Sequence, residues 1–468
     1  MEIYKIDQLK KLIQDTHVNF LIGSGLSRPF LPVLGSIEIL LTKAQKIKDV
    51  LQREIVEASL FSKYFTTVME PCSKIDAHLT KDEIYNLGVV LDGYSGMLTT
   101  WTSIMSKRNS SLLDKTINIF TTNIDNILER VGEGLKLEFN DGFRGHLMPT
   151  FHEDSFSKVV SKLSSHYHNS SQIPIFNYLK IHGSINWKHI TESEASITYD
   201  HDLELMSEIS ETIQYAESEN AFIPIDSQIV NCDDCDETID KLRKSAEEKL
   251  RNVSEDKLEL VKEALDRFNE AYFKLIMIHP RKAKFRESVL DMHFYELMRI
   301  YSNTLEVTGS SLFVFGFSFA DEHLAQLTIR AANYNPTLNI LVFAYNEKGK
   351  EDIIANLNKG GVNYNNNIKV ISALDFFNAQ DEAIKDVLIK QGFVIASPSK
   401  EDKTDENISS TPKLSEGNSS AKEPLEADST MENPGNEHHK SDKSDSTVFS
   451  LNNINLYVFK NIERLISF

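Results

Sequence analysis

Four short stretches of this sequence combine small and polar residues in patterns that could do chemistry. The first, VNFLIGSGLS, runs from an apolar strand, Val18–Ile22, straight into Gly23, Ser24, Gly25, Leu26 and Ser27. Glycines right after a buried strand let the backbone approach a phosphate with its N–H groups pointing at it. Ser27 could cap the next helix or bond the same phosphate. The turn lacks the third glycine, and the acidic residue about 20 positions on, of a full dinucleotide fingerprint. Alone, it equally suits a tight strand–helix turn with no ligand. The second stretch, INIFTTNIDNILER, places Thr121, Thr122, Asn123 and Asp125 between a strand and a helix. Such residues face the ligand crevice of a parallel sheet, and they are also ordinary helix caps. In the third, LKIHGSINW, a strand ends in His182, Gly183 and Ser184. A histidine there can serve as general base, or it can be a satisfied structural histidine. The fourth, LFVFGFSFADEHL, ends a buried strand in Gly316, Ser318, Asp321 and His323, with Asp321 near a helix start.

The elements that must position these residues follow from the apolar patterning. Short β-branched runs at Val18–Ile22, Ile117–Thr121, Leu179–His182, Leu312–Phe317, Asn339–Tyr345 and Ile368–Ile371 alternate with longer helical patterns. Several are continuous apolar runs, as expected when helices cover both faces of a parallel sheet. The expectation is an open α/β fold over residues 1–397, with a Rossmann-like parallel sheet, helices on both faces and right-handed crossovers. Uneven strand spacing implies large helical insertions at about residues 36–113 and 202–276. The second is acidic, and its end carries Leu258, Val261, Leu265, Phe268 and Tyr272 at helical spacing. Residues 398–447 are almost devoid of apolar side chains and cannot offset the entropy of ordering, so they are expected to be a disordered acidic linker. Beyond them, residues 448–468 turn apolar again. Asn453–Phe459 alternates like a strand, with Ile454, Leu456 and Val458 on one face. This segment is expected to dock, on its own domain or on a neighbouring subunit.

Composition narrows the setting. With 50 basic and 69 acidic residues the formal net charge is −19, which repels nucleic acid where no basic patch is concentrated. Three cysteines, Cys72, Cys232 and Cys235, are too few for a disulfide scaffold and suit a reducing compartment. No window approaches eighteen uncharged apolar residues, and the first residues lack a signal peptide's apolar stretch. A cytoplasmic location away from the membrane, with no direct nucleic-acid partner, is the expectation.

Taken in order, glycine loop, TTNxD, strand-HGS and strand-GxSxxDxH, each at a strand's end, resemble the motif set of the sirtuin superfamily. More narrowly, the chain resembles the sirtuin-like domains of bacterial anti-phage defence proteins. The resemblance is scattered over roughly Val18 to Ile371 and leaves the helical insertions unmatched. It implies that Gly23, Ser24, Gly25 and Ser27 hold the NAD diphosphate, that Asn123 and Asp125 line the nicotinamide and nicotinamide-ribose pocket, and that Thr122 is a further NAD-binding residue. It implies further that His182 is the catalytic base with Asn123 at the centre of the reaction. Gly316 and Ser318 would contact the adenosine half, while Asp321 and His323 match the signature without an assigned role. His279, Pro280, Arg281 and Lys282 are a further candidate pocket element, and Arg28 a candidate for a 2′-phosphate. NAD is then a substrate, and no metal is expected. The zinc ribbon of the family's deacetylases needs four cysteines, which one chain of this sequence does not have. Cys232 and Cys235 are expected as two unconnected thiols, with zinc held by the pair plus a histidine and a carboxylate as the alternative. The segment Arg28–Pro32 also departs from the deacetylase loop. Both departures favour hydrolysis of NAD itself over deacylation or ADP-ribosyl transfer, with a non-catalytic NAD- or ADP-ribose-binding subunit as the remaining alternative. Constitutive NAD hydrolysis needs restraint. The resemblance therefore implies gating in trans: a homo-oligomer, and a co-encoded partner such as a HerA-type ring ATPase.

Overall fold

All six apolar runs expected as strands fall in one sheet. The computed structural model of the chain describes residues 5–395 and 447–466, apart from 34, 76–78, 110–112, 165–169, 191–195, 227, 233 and 281–291. The strands are β1 (His17–Ile22), β2 (Thr116–Thr121), β3 (Phe139–Asn140), β4 (Ile175–Lys180), β5 (Ser310–Phe315), β6 (Asn339–Phe343) and β7 (Ile368–Ile371). They lie in the order β7-β6-β5-β1-β2-β4-β3, and every pairing is parallel. This is the Rossmann-like α/β architecture. Two strand ends differ from those expected. β4 starts at Ile175 and stops at Lys180, and β5 stops at Phe315, so His182 and Gly316 both lie just past strand ends.

The continuous apolar strands are explained by two cores. Val18, Phe20 and Ile22 of β1 enter one of them, together with helices Ile37–Ala44, Val50–Tyr64, Lys81–Ser106, Glu204–Ser218 and Glu255–Tyr272. Leu21 points to the other, with Phe120, Leu179, Leu312 and Val314 under helices Met292–Glu306, Glu322–Tyr334 and Glu347–Gly360. Alternate residues of one strand are thus buried on opposite faces. Both expected insertions are helical. The first contains Lys81–Ser106, started by a capping box between Thr80 and Glu83. The second ends in Glu255–Tyr272, which buries Val261, Leu265, Phe268 and Tyr272 on the face their spacing marks.

Register is held by a feature in the sheet interior. Asn19, Asn118, Asn177 and Asn140 sit directly opposite one another on β1, β2, β4 and β3. Asn118 Nδ2 donates to Asn19 Oδ1 at 2.9 Å, Asn177 Nδ2 to Asn118 Oδ1 at 2.9 Å, and Asn140 Nδ2 to Asn177 Oδ1 at 2.8 Å. A slip of one residue would break all three bonds and strand buried amides.

The C-terminal segment corrects one expectation. Instead of a strand, it forms a continuous helical run, Leu451–Ile454, Asn455–Phe459 and Lys460–Leu465, whose middle turn is wound as a π-helix. Its alternating Ile454, Leu456 and Val458 coexist with Leu451, Ile454, Val458 and Ile462 at helical spacing, and the second pattern prevails. Ser450 caps the start, accepting from the Asn453 N–H at 3.3 Å. Of the two docking sites expected, the segment takes its own domain. Phe459 packs against Trp101, Phe313, Phe315 and Phe343, and Asn455 Nδ2 donates to Gly93 O at 2.8 Å. The stretch expected as a linker lies outside the described residues except for Thr447, whose N–H donates to Val394 O at 2.7 Å. The chain therefore returns beside the point it left. No described helix is long and apolar enough to cross a membrane.

Candidate functional site

The switch in strand order lies between β1 and β5. The chain leaves β1 toward β2 on one side and leaves β5 toward β6 on the other, and open parallel sheets bind their ligands beyond the C-terminal strand ends at such a switch. The glycine loop and Gly316 meet there. Gly23 N–H donates to Phe315 O at 3.0 Å and Gly25 N–H to Gly316 O at 2.9 Å. A Cβ on Gly23 would sit 2.5 Å from Gly316 O, and one on Gly316, at φ +61°, 2.6 Å from Leu26 N. The glycines thus let two loops pack backbone against backbone, and two of the amides expected to face a phosphate are engaged by β5. Ser24 stays exposed at the rim, as does Ser318, whose carbonyl accepts from Asn356 Nδ2 at 3.0 Å.

Ser27, Asn123 and Asp125 form one buried network. Ser27 Oγ donates to Asp125 Oδ2 at 2.8 Å, and Asn123 Nδ2 donates to Ser27 Oγ at 3.2 Å. The direction follows from chemistry: an ionised carboxylate only accepts, so the Ser27 proton goes to Asp125 and the Ser27 lone pair is left for the amide. Asn123 Oδ1 is consequently turned away from both, and it is buried without a hydrogen-bond partner among the described residues. The loop is fixed from below. Thr121 Oγ1 accepts from Asn123 N at 3.0 Å and donates to Ile22 O at 3.1 Å, while the Thr122 N–H donates to Ile22 O at 3.1 Å. Asp125 Oδ1 accepts from Ile127 N at 3.1 Å at the start of helix Ile127–Gly134.

Three further members carry no motif in the sequence. Lys180, the last residue of β4, is buried, pairs with Glu129 at 2.7 Å and donates to the Asp125 carbonyl. Burial raises the Glu129 carboxyl above its usual range, and the Lys180 charge pulls it part of the way back. Tyr94, from helix Lys81–Ser106, brings a buried hydroxyl to Ser27 and Asn123. Burial above all, and then the Asp125 charge, push the Tyr94 phenol well above its ordinary range, so it stays protonated. An unmatched insertion thus supplies part of the site.

His182 stands in the turn after β4. The turn is stitched to the segment before His279: Ile278 N–H donates to His182 O at 2.9 Å, and Gly183 bridges Met277. Gly183 adopts φ +79°, and a Cβ there would lie 2.2 Å from Ile276 O, so no other residue fits. Ser184 Oγ and Ile185 N–H both donate to Ile124 O, at 3.2 and 3.1 Å, joining this turn to the Asn123 loop. His182 Nε2 lies 3.4 Å from Asp321 Oδ2, at ion-pair distance but without the alignment of a hydrogen bond, and it too is buried without a hydrogen-bond partner. Asp321 does two jobs. Its Oδ1 caps helix Glu322–Tyr334, accepting from His323 N at 3.0 Å and Leu324 N at 3.1 Å, and its Oδ2 faces His182. His323 is close enough to feel both. Burial first of all lowers its pKa, with Asp321 opposing and His182 adding to the depression. His279 is buried in an aromatic box of Phe61, Tyr272 and Phe273, while Arg281 and Lys282 lie outside the described residues. Arg28 is exposed.

The four strand ends expected to carry site residues lie on the same edge of the sheet. They form two groups, Ser27–Asn123–Asp125–Tyr94 and His182–Asp321–His323, held to each other through Ile124. Each group presents an unpartnered buried atom, Asn123 Oδ1 and His182 Nε2, and Glu129 Oε2 beside the first group is also buried without a hydrogen-bond partner among the described residues. Among the described residues no three His, Cys, Asp or Glu side chains gather as metal ligands. The chain matches no family model and no curated protein.

Proposed function

We propose that the chain is an NAD+ glycohydrolase, releasing nicotinamide and ADP-ribose, and that it depletes NAD as an effector of bacterial anti-phage defence. The observation carrying this reading is the pair of buried, unpartnered atoms, Asn123 Oδ1 and His182 Nε2, at the end of a parallel sheet. Buried polar atoms are almost always satisfied, so two orphans at one crevice mark where a polar ligand completes the bonding. The order of motifs adds the ligand's identity through the sirtuin-like resemblance.

The bond to be broken joins nicotinamide to ribose. Nicotinamide leaves with the electron pair of that bond and becomes neutral, so the enzyme's task is to stabilise an oxocarbenium-like ribose and to place a nucleophile. Asn123 Oδ1 accepts a hydrogen bond from the ribose or the attacking water. His182 Nε2 takes the water proton as the oxygen bonds to the ribose carbon, and Asp321 stabilises the resulting imidazolium. The proton then returns to solvent. The rim residues Ser24, Thr122, Gly316 and Ser318 border the remainder of the dinucleotide. Restraint comes in trans, through homo-oligomer assembly or a co-encoded partner such as a HerA-type ring ATPase.

The test is to incubate the full chain with NAD, alone and with its co-encoded neighbour, and to follow nicotinamide and ADP-ribose. Release that vanishes in Asn123→Ala supports the hydrolase, and dependence on the neighbour supports gating. ADP-ribose appearing on protein, or loss of acyl groups from lysine, would replace it with a transferase or deacylase. Tight NAD binding without turnover in either condition would replace it with a regulatory subunit.

A further inference from the structure

We propose that Cys232 and Cys235 are a thiol–disulfide exchange site, closed to an intrachain disulfide by low-molecular-weight disulfides. The two sulfurs are 3.1 Å apart, in contact and about 1 Å from bonding distance. Both side chains are partly exposed, so a small disulfide can reach them, whereas Cys72 is buried. The two thiols are unbridged and face each other.

Both ends of the pair are held. The Cys232 carbonyl accepts from Ser36 Oγ at 3.0 Å, and Ser36 N–H donates to Val230 O at 3.0 Å. Cys235 is the first residue of helix Cys235–Arg251, whose cap Asp234 accepts from Asp236 N at 2.9 Å and Glu237 N at 3.0 Å. Lys43 pairs with Asp236 one residue further on, tying helix Ile37–Ala44 to the same corner. The pair thus sits where the two helical insertions join. No third acidic or histidine ligand completes a metal-binding group with the two thiols among the described residues.

Burial, and then the facing thiol, push Cys235 up to about 11. The thiolate of one cysteine attacks one sulfur of the small disulfide, forming a mixed disulfide and releasing one thiolate. The facing thiol gives its proton to water and attacks the protein sulfur of that mixed disulfide, forming the intrachain bond and releasing the second thiolate. Two thiols are oxidised to one disulfide and the small disulfide is reduced to two thiols, with no other reactant.

The site is tested with oxidised glutathione on the full chain, followed by alkylation under denaturing conditions and peptide mass mapping. The expected product is a Cys232–Cys235 disulfide that dithiothreitol reverses, with Cys72 alkylated as a free thiol. Cys235→Ser should stop at a glutathione adduct on Cys232, and Cys232→Ser at one on Cys235. Persistence of two alkylatable thiols in excess oxidised glutathione, with circular dichroism showing a folded chain, overturns the proposal. So does a wild-type chain that stops at glutathione adducts.

Discussion

The strands that carry the candidate site also carry the asparagine ladder, and the two buried polar clusters are built in opposite ways. In the ladder each amide oxygen is occupied: Asn19, Asn118 and Asn177 accept from one another in turn, and Asn140 Oδ1 accepts from Ser155 Oγ at 3.0 Å. A few residues on, at the ends of the same strands, Asn123 Oδ1 and His182 Nε2 are buried with no hydrogen-bond partner. A closed network holds register and needs nothing more. An open one keeps a desolvation penalty that only a ligand or water relieves, and a fold keeps such a penalty where function requires it. The comparison predicts that substitutions in the first cluster act on stability and substitutions in the second on turnover.

The largest effect should come from the open cluster. His182→Ala is expected to reduce nicotinamide release by about 10²- to 10⁴-fold, the usual worth of a general base, while the urea midpoint stays near that of the wild type. Initial rates and urea denaturation on one preparation test both halves. Retained turnover would remove His182 from the chemistry. The ladder should respond in reverse. Asn118→Leu leaves Asn19 Oδ1 unpaired in the sheet and removes one of the two bonds of Asn177 Nδ2, the one to Phe156 O remaining, at a cost of about 1–3 kcal/mol for the orphaned oxygen. KM and kcat for NAD should change little in the folded fraction. A variant as stable as the wild type would mean the ladder is not what holds register.

Asp321→Asn separates two roles within one residue. Asparagine caps a helix as well as aspartate does, so helix Glu322–Tyr334 should keep its start and the protein its stability. The charge facing His182 is lost, and turnover should fall by up to about a hundredfold through misplacement of the base, mainly in kcat. An unchanged kcat would show that Asp321 serves the helix alone. Asp321→Ala should add the loss of the cap, about 1 kcal/mol by denaturation.

The fold was legible because its signal is repetitive: six apolar runs, each followed by a polar or glycine-containing turn, admit few arrangements other than a parallel sheet. The site was legible as far as it lies at strand ends. Tyr94 was not, because it sits in the middle of a 26-residue helix, where nothing local separates a tyrosine facing a site from one facing a core. Lys180 reads as the polar end of a strand until Glu129 is seen beside it. The ladder did leave a trace, since V-N-F, I-N-I and F-N-Y each interrupt an apolar strand with a residue strands disfavour. Such interruptions in neighbouring strands are a register signal. The C-terminal segment misled because seven residues fit both periods, and the helical one is visible only when Leu451 and Ile462 are included.

The smallest effect sharpens the comparison through pH. His323 belongs to the open cluster, and its folded pKa is depressed by burial. The folded state therefore favours the neutral ring, and below about 6.5 the unfolded chain takes up a proton that the folded chain resists. The contribution is fully present above the unfolded pKa and declines as pH falls through it toward the folded value. His323→Gln should flatten the loss of stability between pH 7.5 and 5.5, read as the difference in urea midpoints. Asp321→Asn should steepen it, because Asp321 is the group that holds the His323 pKa up. Asn118→Leu, in a ladder with no titrating group, should lower the whole curve without changing its slope. If all three variants keep the wild-type slope, His323 does not titrate differently on folding, and the acid limb belongs to carboxylates elsewhere in the chain.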